Sequence, residues 1–122
     1  MNSREELRRV RDRLLDLHKL LLDRERAVYE REHGRVGSPN AYLGLVLGHE
    51  QFEWLRQLSG MIVEVDELLA PRSQAGPSEA DATLSKLREM MNLASDTDFS
   101  RRLSVAVEDA HEIAVAQKDF WM

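Results

Sequence analysis

Residues 52–69 read FEWLRQLSGMIVEVDELL, and the spacing of their apolar side chains predicts the fold. Apolar residues recur three and four positions apart, which places them on one stripe of an α-helix, with a second row beside it. A stripe of this width has to be buried against several other helices. The stripe consists of Leu55, Leu58, Ile62, Val65 and Leu69, and the second row of Trp54, Met61 and Leu68.

A long helix is predicted at the start of the chain. Ser3, followed three residues later by Glu6, is typical of a capping box and precedes a run of apolar residues with helical spacing. The run predicts one helix over about residues 4–33. His33 and Gly34 are suited to its end, because a glycine readily takes the conformation that follows a last turn.

A second helix is expected to begin at Ser38-Pro39, with the serine as N-cap and the proline at the first position. When the apolar stripe of residues 52–69 is extended backwards, it reaches polar residues and glycines. This loss of register predicts a break near Gly48-His49, followed by a helix from about residue 50 to 70.

The second half of the chain predicts two more helices. Residues 71–77 are rich in proline and glycine and form the clearest loop. Ser78 with Asp81 is expected to cap a third helix over about residues 79–93. A further cluster of capping residues precedes a fourth helix over about residues 97–119. No strand-like alternation is present, so we expect an all-α fold, an antiparallel four-helix bundle whose second helix is broken near Gly48.

Composition sets limits on the class of protein. The 122 residues are expected to form one domain over 1–122, and the absence of cysteine excludes disulfides and thiolate metal sites. Neither a signal peptide nor an apolar run of membrane-spanning length is apparent, so a cytoplasmic protein without a membrane partner is expected. The net charge of −5 argues against nucleic acid as a partner, since phosphate contacts need a basic face.

Two Glu-x-x-His pairs are the strongest indication of chemistry. Glu30 with His33 and Glu108 with His111 match the pattern by which ferritin-like carboxylate bundles bind two metal ions. The helical spacing, however, puts both pairs away from the apolar stripes, whereas ligands must project inward. We therefore expect no metal and no cofactor, and keep a metal-dependent bundle as the alternative function.

Other polar residues offer weaker indications. His18 borders the apolar face of the first helix, where it could be a general base or ligand, but a half-buried, hydrogen-bonded histidine is the favoured interpretation because no nucleophile is placed beside it. The sequence contains no nucleotide-binding glycine motif and no nucleophile elbow, and we expect no catalytic residues. A weaker alternative is binding of an anionic surface by arginines of the first helix, namely Arg4, Arg8, Arg9, Arg11 and Arg13.

The short helix expected at residues 41–47 is apolar nearly all round. Such a helix is normally buried on every side, yet this one follows the first loop, at the end of the bundle. Either the chain folds it across the bundle as a lid, or it forms a contact with another molecule. A homodimer is the favoured interpretation, because symmetric dimers are the commonest oligomers. The expected interface residues are Tyr42, Leu43, Val46 and Leu47.

Several short motifs occur together in the first half of the chain. They are Leu17-His18-Lys19, Glu25-Arg26, Tyr29-Glu30, His33-Gly34, Phe52-x-Trp54-Leu55-Arg56-x-Leu58-Ser59, Ile62-Val63 and Asp66-Glu67. Over roughly residues 14–69 the chain thereby resembles a family of short, uncharacterised bacterial proteins. The resemblance implies a small, cytosolic, all-helical protein without an assigned activity. The overall expectation is a non-enzymatic interaction or regulatory module that acts as a homodimer or binds another protein.

Overall fold

A computed structural model describes residues 2–121, and this part of the chain is helical and contains no strand. The prediction of an all-α fold is confirmed, whereas the arrangement as four antiparallel helices stays a prediction. Within residues 2–121 the helical segments are α1 (Ser3–His33), α2 (Pro39–Gly48), α3 (Glu50–Glu53), α4 (Arg56–Leu69), α5 (Pro77–Met90), α6 (Asp98–Asp109) and α7 (His111–Lys118).

The long helix α1 lies at the centre and packs against α3, α4, α5 and α7. Its apolar residues with three-four spacing are buried from Leu7 to Leu21, as the pattern predicts, and Val28 near the end of the helix is partly buried. On α4 the predicted stripe is buried at Leu58 and Val65 and partly buried at Ile62 and Leu69. The buried residues that α1 contributes to the core are Leu7, Val10, Leu14, Leu17 and Leu21.

The start of α1 differs from the predicted capping box. Asn2 is the N-cap, and its side-chain oxygen accepts the backbone N–H of Glu5 at 2.9 Å. Ser3 is already helical, and its hydroxyl donates to Asp81 on α5 instead. Asn2 can replace serine here because both side chains place an oxygen within reach of the first free N–H groups. The predicted end is correct: Gly34 follows α1 with φ of +85°.

The predicted break after Gly48 is present. His49 has an extended backbone and ends α2, and its ring Nδ1 accepts the N–H of Gln51 at 3.1 Å as the N-cap of α3. A second interruption was not predicted: a turn at Trp54 and Leu55 separates α3 from α4. Both residues are nevertheless buried, because the turn keeps them on the side facing the core.

The second half requires two corrections. Helix α5 begins at Pro77, not at residue 79, because Glu79 accepts the N–H of Gly76 at 2.7 Å and so organises the first turn two residues earlier than Ser78 would. The single helix predicted over residues 97–119 is divided at Ala110, which has an extended backbone. No proline or glycine marks this division; the carbonyl of Ala110 accepts the N–H groups of Ile113 and Ala114 and restarts the helix.

Candidate interaction surface on α2

Helix α2 is well formed but poorly covered. Ser38 caps it, its hydroxyl oxygen accepting the N–H of Ala41 at 3.1 Å, and Pro39 occupies the first position. Apolar residues surround the helix without a preferred side, yet none of its residues is buried. An apolar helix is normally stabilised by packing on its apolar face. Helix α2 therefore presents to solvent a surface that would be more stable if covered.

One side chain attaches α2 to the rest of the molecule. The hydroxyl of Tyr42 donates to the carbonyl of Leu22 at 3.4 Å, and the guanidinium of Arg26 lies 4.7 Å from the centre of the tyrosine ring. The ring also meets Phe52 edge to face. Burial raises the pKa of Tyr42, with Asp23 acting in the same direction and Arg26 against it. The hydroxyl therefore remains protonated and able to donate.

The opposite side of α2 is open. Leu43 and Leu47 are 54% and 67% exposed, while Val46 is half-buried. The four residues predicted for the interface thus divide: Tyr42 faces α1, and Leu43 and Leu47 face outward. At its end, α2 is held by Arg56, which donates to the carbonyl of Leu47 at 2.7 Å.

Two glycines leave part of this exposed side of α2 without side chains. A Cβ atom placed on Gly44 or on Gly48 would meet nothing within 4 Å. The two residues lie one turn apart, so they share a face of the helix. A second helix could approach the backbone of α2 closely along this strip.

The two Glu-x-x-His pairs have other contacts. Glu30 accepts the backbone N–H of Val36 at 2.8 Å, and His33 stacks on Tyr29 with ring centres 4.4 Å apart. Glu108 and His111 are both exposed, and the division at Ala110 separates them, with Glu108 on α6 and His111 on α7. Among residues 2–121 no three His, Asp or Glu side chains are grouped closely enough to hold a metal ion.

His18 is half-buried, and its Nε2 lies 2.8 Å from the hydroxyl of Ser59 on α4. The same hydroxyl donates to the carbonyl of Leu55 at 3.2 Å. A hydroxyl has one proton, so Ser59 then accepts a hydrogen bond from His18. A nucleophile would need the opposite arrangement, in which the serine donates to the ring. The pair therefore joins α1 to α4 and gives no support for catalysis.

Most of the arginines at the start of α1 form hydrogen bonds or ion pairs within the chain. Arg4 donates to the carbonyls of Leu68 and Leu69 at the end of α4. Arg9 and Arg13 act similarly on carbonyls just after the end of α7, where a cation is favourable. Four of the five side chains considered for an anionic surface thus have partners within the chain: Arg4, Arg9 with the carbonyl of Trp121, Arg11 with Asp66 and Arg13 with the carbonyl of Asp119.

A buried carboxylate was missed in the sequence. Glu25 is only 5% exposed and occupies the position after Leu21 on the core side of α1. It accepts hydrogen bonds from Arg24 at 2.7 Å and from the side chain of Gln51 at 3.0 Å. Arg24 also pairs with Asp109 at 3.0 Å. The interruption of the apolar stripe at this point was a signal for such a network.

None of the helices within residues 2–121 has the length and apolar content needed to cross a membrane. No protein-family model matches the chain, and comparison with curated proteins and with solved structures finds no significant relative. The resemblance over residues 14–69 therefore has no supporting match.

Proposed function

We propose that this chain is a non-enzymatic interaction module that forms a homodimer through α2. The observation that carries the proposal is an apolar ten-residue helix without one buried residue. Large exposed apolar patches on folded domains mark contact sites. Leu43 and Leu47 form the centre of the proposed interface. Tyr42 attaches α2 to α1 on the other side of the helix.

The absence of charge on α2 is compatible with a second copy as the occupant. The chain carries a net charge of −5, so two copies repel each other over most of their surface. Helix α2, however, contains no Asp, Glu, Lys or Arg between Pro39 and Gly48. Two copies that meet there bring no like charges together, and a symmetric contact uses the same surface twice. Because α2 has no charged residue, the contact buries no charge of this helix. The cost of desolvating a charge therefore does not oppose the contact.

The scaffold proposed for this module is an antiparallel bundle of four helical units: α1, α3 with α4, α5, and α6 with α7. The support is the central position of α1, which packs against members of each of the other three units. The proposed location is the cytoplasm, since a chain without cysteine gains nothing from an oxidising compartment.

Light scattering after size exclusion tests the dimer directly, because the monomer has a mass of 14.1 kDa. We expect twice this mass at tens of micromolar. Leu43→Asp and Leu47→Asp should each give a folded monomer, since both side chains are more than half exposed and the fold does not depend on burying them.

Val105→Asp is the matched control, because Val105 on α6 is 56% exposed, much like Leu43. This variant should remain dimeric. A wild-type protein that is monomeric at tens of micromolar overturns the homodimer. A dimer that survives both leucine substitutions and dissociates with Val105→Asp places the interface elsewhere.

A further inference from the structure

We infer that His49 is a proton-sensitive joint between α2 and α3: protonation of its ring removes the side-chain cap of α3, and the end of α2 is then held less firmly. The joint belongs to a single chain, so it does not depend on the homodimer proposed above. It follows from one hydrogen bond, in which the donor fixes the protonation state of the ring.

His49 contributes to two helices at once. Its backbone N–H donates to the carbonyl of Leu45 at 2.9 Å and completes the last turn of α2. Its ring Nδ1 accepts the N–H of Gln51 at 3.1 Å and caps α3. Helix α3 has only four residues, which are too few to be stable on their own. One residue thus ends α2 and stabilises the start of the helix that follows.

The cap requires a neutral ring. A backbone N–H can only donate, so Nδ1 of His49 must offer a lone pair, and the proton of the neutral ring is on Nε2. In the protonated ring both nitrogens carry a proton, and neither can accept. The N–H of Gln51 would then face another N–H that carries positive charge. The cap is therefore lost when the ring is protonated.

The His49 ring is held in place by aromatic contacts and remains partly exposed, so water can deliver the proton. It meets Tyr29 edge to face with ring centres 5.3 Å apart, and Phe52 in the same way at 6.4 Å. The ring of His33, which stacks on Tyr29, is 6.2 Å away. Because Tyr29 and His33 lie in the last turns of α1, the neutral ring also connects the joint to that helix.

Charged and titratable side chains from three helices line one open depression together with His49. They are Glu32 and His33 on α1, Glu50 and Glu53 on α3, and Arg102 on α6. The carboxylates attract a protonated ring, while Arg102 and a protonated His33 repel it. Arg102 is already paired with Asp98 at 3.1 Å, which weakens its repulsion. Protonation therefore exchanges the backbone N–H of α3 for carboxylate oxygens outside the cap.

Gln51 transmits the loss of the cap to the interior. Its side chain donates to the carbonyl and to the carboxylate of buried Glu25 at 2.9 and 3.0 Å, so a freed backbone at Gln51 loosens this contact as well. The attachments of α2 through Tyr42 and Arg56 keep their charge state, because burial raises the pKa of the tyrosine and arginine stays protonated. Helix α2 thus stays attached while its end at His49 is released.

Hydrogen–deuterium exchange measured by mass spectrometry tests the joint, with labelling times scaled for the intrinsic exchange rate. In the range where histidine changes charge, from about pH 7.5 to about pH 5, a peptide covering residues 50–55 should exchange about five-fold faster, as expected for a lost N-cap. A peptide from residues 10–20 of α1 reports global unfolding and should change less. His49→Asn should remove the difference, because asparagine caps helices and does not titrate. His49→Ala should exchange fast at both values.

His33→Asn is the matched control, since His33 lies beside His49 but its ring is not the cap of α3. This variant should keep the response of the wild type. Proton–nitrogen correlation spectra of the wild-type ring near neutral pH give a second reading and should place the His49 proton on Nε2. A proton on Nδ1, a wild type without the response, or a His49→Asn variant that retains it would each overturn the joint. None of these readings depends on whether the protein is a monomer or a dimer.

Discussion

His18 and Ser59 form a hydrogen bond of 2.8 Å that joins α1 to α4. The ring is half-buried, and this burial lowers its pKa below the usual value of 6.5. The bond therefore couples the packing of two central helices to the protonation of one side chain.

The first prediction concerns pH. Because the folded protein disfavours the charged ring, the unfolded chain binds a proton below pH 6.5 that the folded chain does not. The contribution of His18 to stability is thus complete above pH 6.5 and decreases as pH falls toward the lower folded pKa. We expect urea midpoints of the wild type to fall between pH 7.5 and 5, and His18→Gln to show a smaller fall, since glutamine can still donate to Ser59.

Ser59→Ala separates burial from hydrogen bonding. Removing the hydroxyl should cost about 1 kcal/mol at pH 7.5, the usual net value of one hydrogen bond. Its pH dependence should remain close to that of the wild type, because burial of the ring is the cause of the lowered pKa. If His18→Gln leaves the pH dependence unchanged, burial of the His18 ring is not its cause.

A second prediction uses two glycines of the loop between α1 and α2. Gly34 has φ of +85°, a conformation that other residues rarely adopt, whereas Gly37 does not, and neither has a neighbour within 4 Å of an added Cβ. Gly34→Ala should therefore lower the free energy of unfolding by about 1–3 kcal/mol through backbone strain alone. Gly37→Ala should be within about 0.5 kcal/mol of the wild type. Equal urea midpoints for the two variants would contradict this difference.

A third prediction tests Trp54, the core residue in the turn between α3 and α4. Trp54 is buried and its ring centre lies 5.4 Å from that of Phe99 on α6. Trp54→Ala should cost about 3–5 kcal/mol, the range for emptying a large aromatic site. Trp54→Phe retains most of the contact and should cost less. Denaturant unfolding followed by circular dichroism measures both, and a loss below about 1 kcal/mol for the alanine variant would show that the site collapses freely.

Helical periodicity was a reliable guide wherever one helix packs along one face. The core positions of α1 and the burial of Leu58 and Val65 follow from three-four spacing, and the break at His49 follows from its loss. The division at Ala110 was not predicted, since alanine favours helices and residues 101–119 contain no proline or glycine. The extended backbone of Ala110 depends on tertiary packing, which the spacing of apolar residues does not reveal.

The same limit applies to the surface of α2. Its apolar composition predicted a contact with another surface. It did not predict which side chains pack on the rest of the chain and which remain exposed. Only the structure shows that Tyr42 faces α1 while Leu43 and Leu47 face solvent. A helix that is apolar all round has no preferred direction in its sequence, so its orientation depends on the neighbours that it meets.

The final prediction concerns Glu25, the carboxylate buried among apolar residues of α1. Removing its cation by Arg24→Met leaves Gln51 as its remaining side-chain donor, and we expect a loss of about 2 kcal/mol. Glu25→Leu should cost less than about 1 kcal/mol, because a well-packed apolar residue often replaces a buried ionic group without loss, and Arg24 keeps Asp109. The double variant Arg24→Met/Glu25→Leu should therefore be more stable than Arg24→Met alone. Urea unfolding of all four proteins gives the coupling energy, and strictly additive losses would show that the pair makes no interaction of its own.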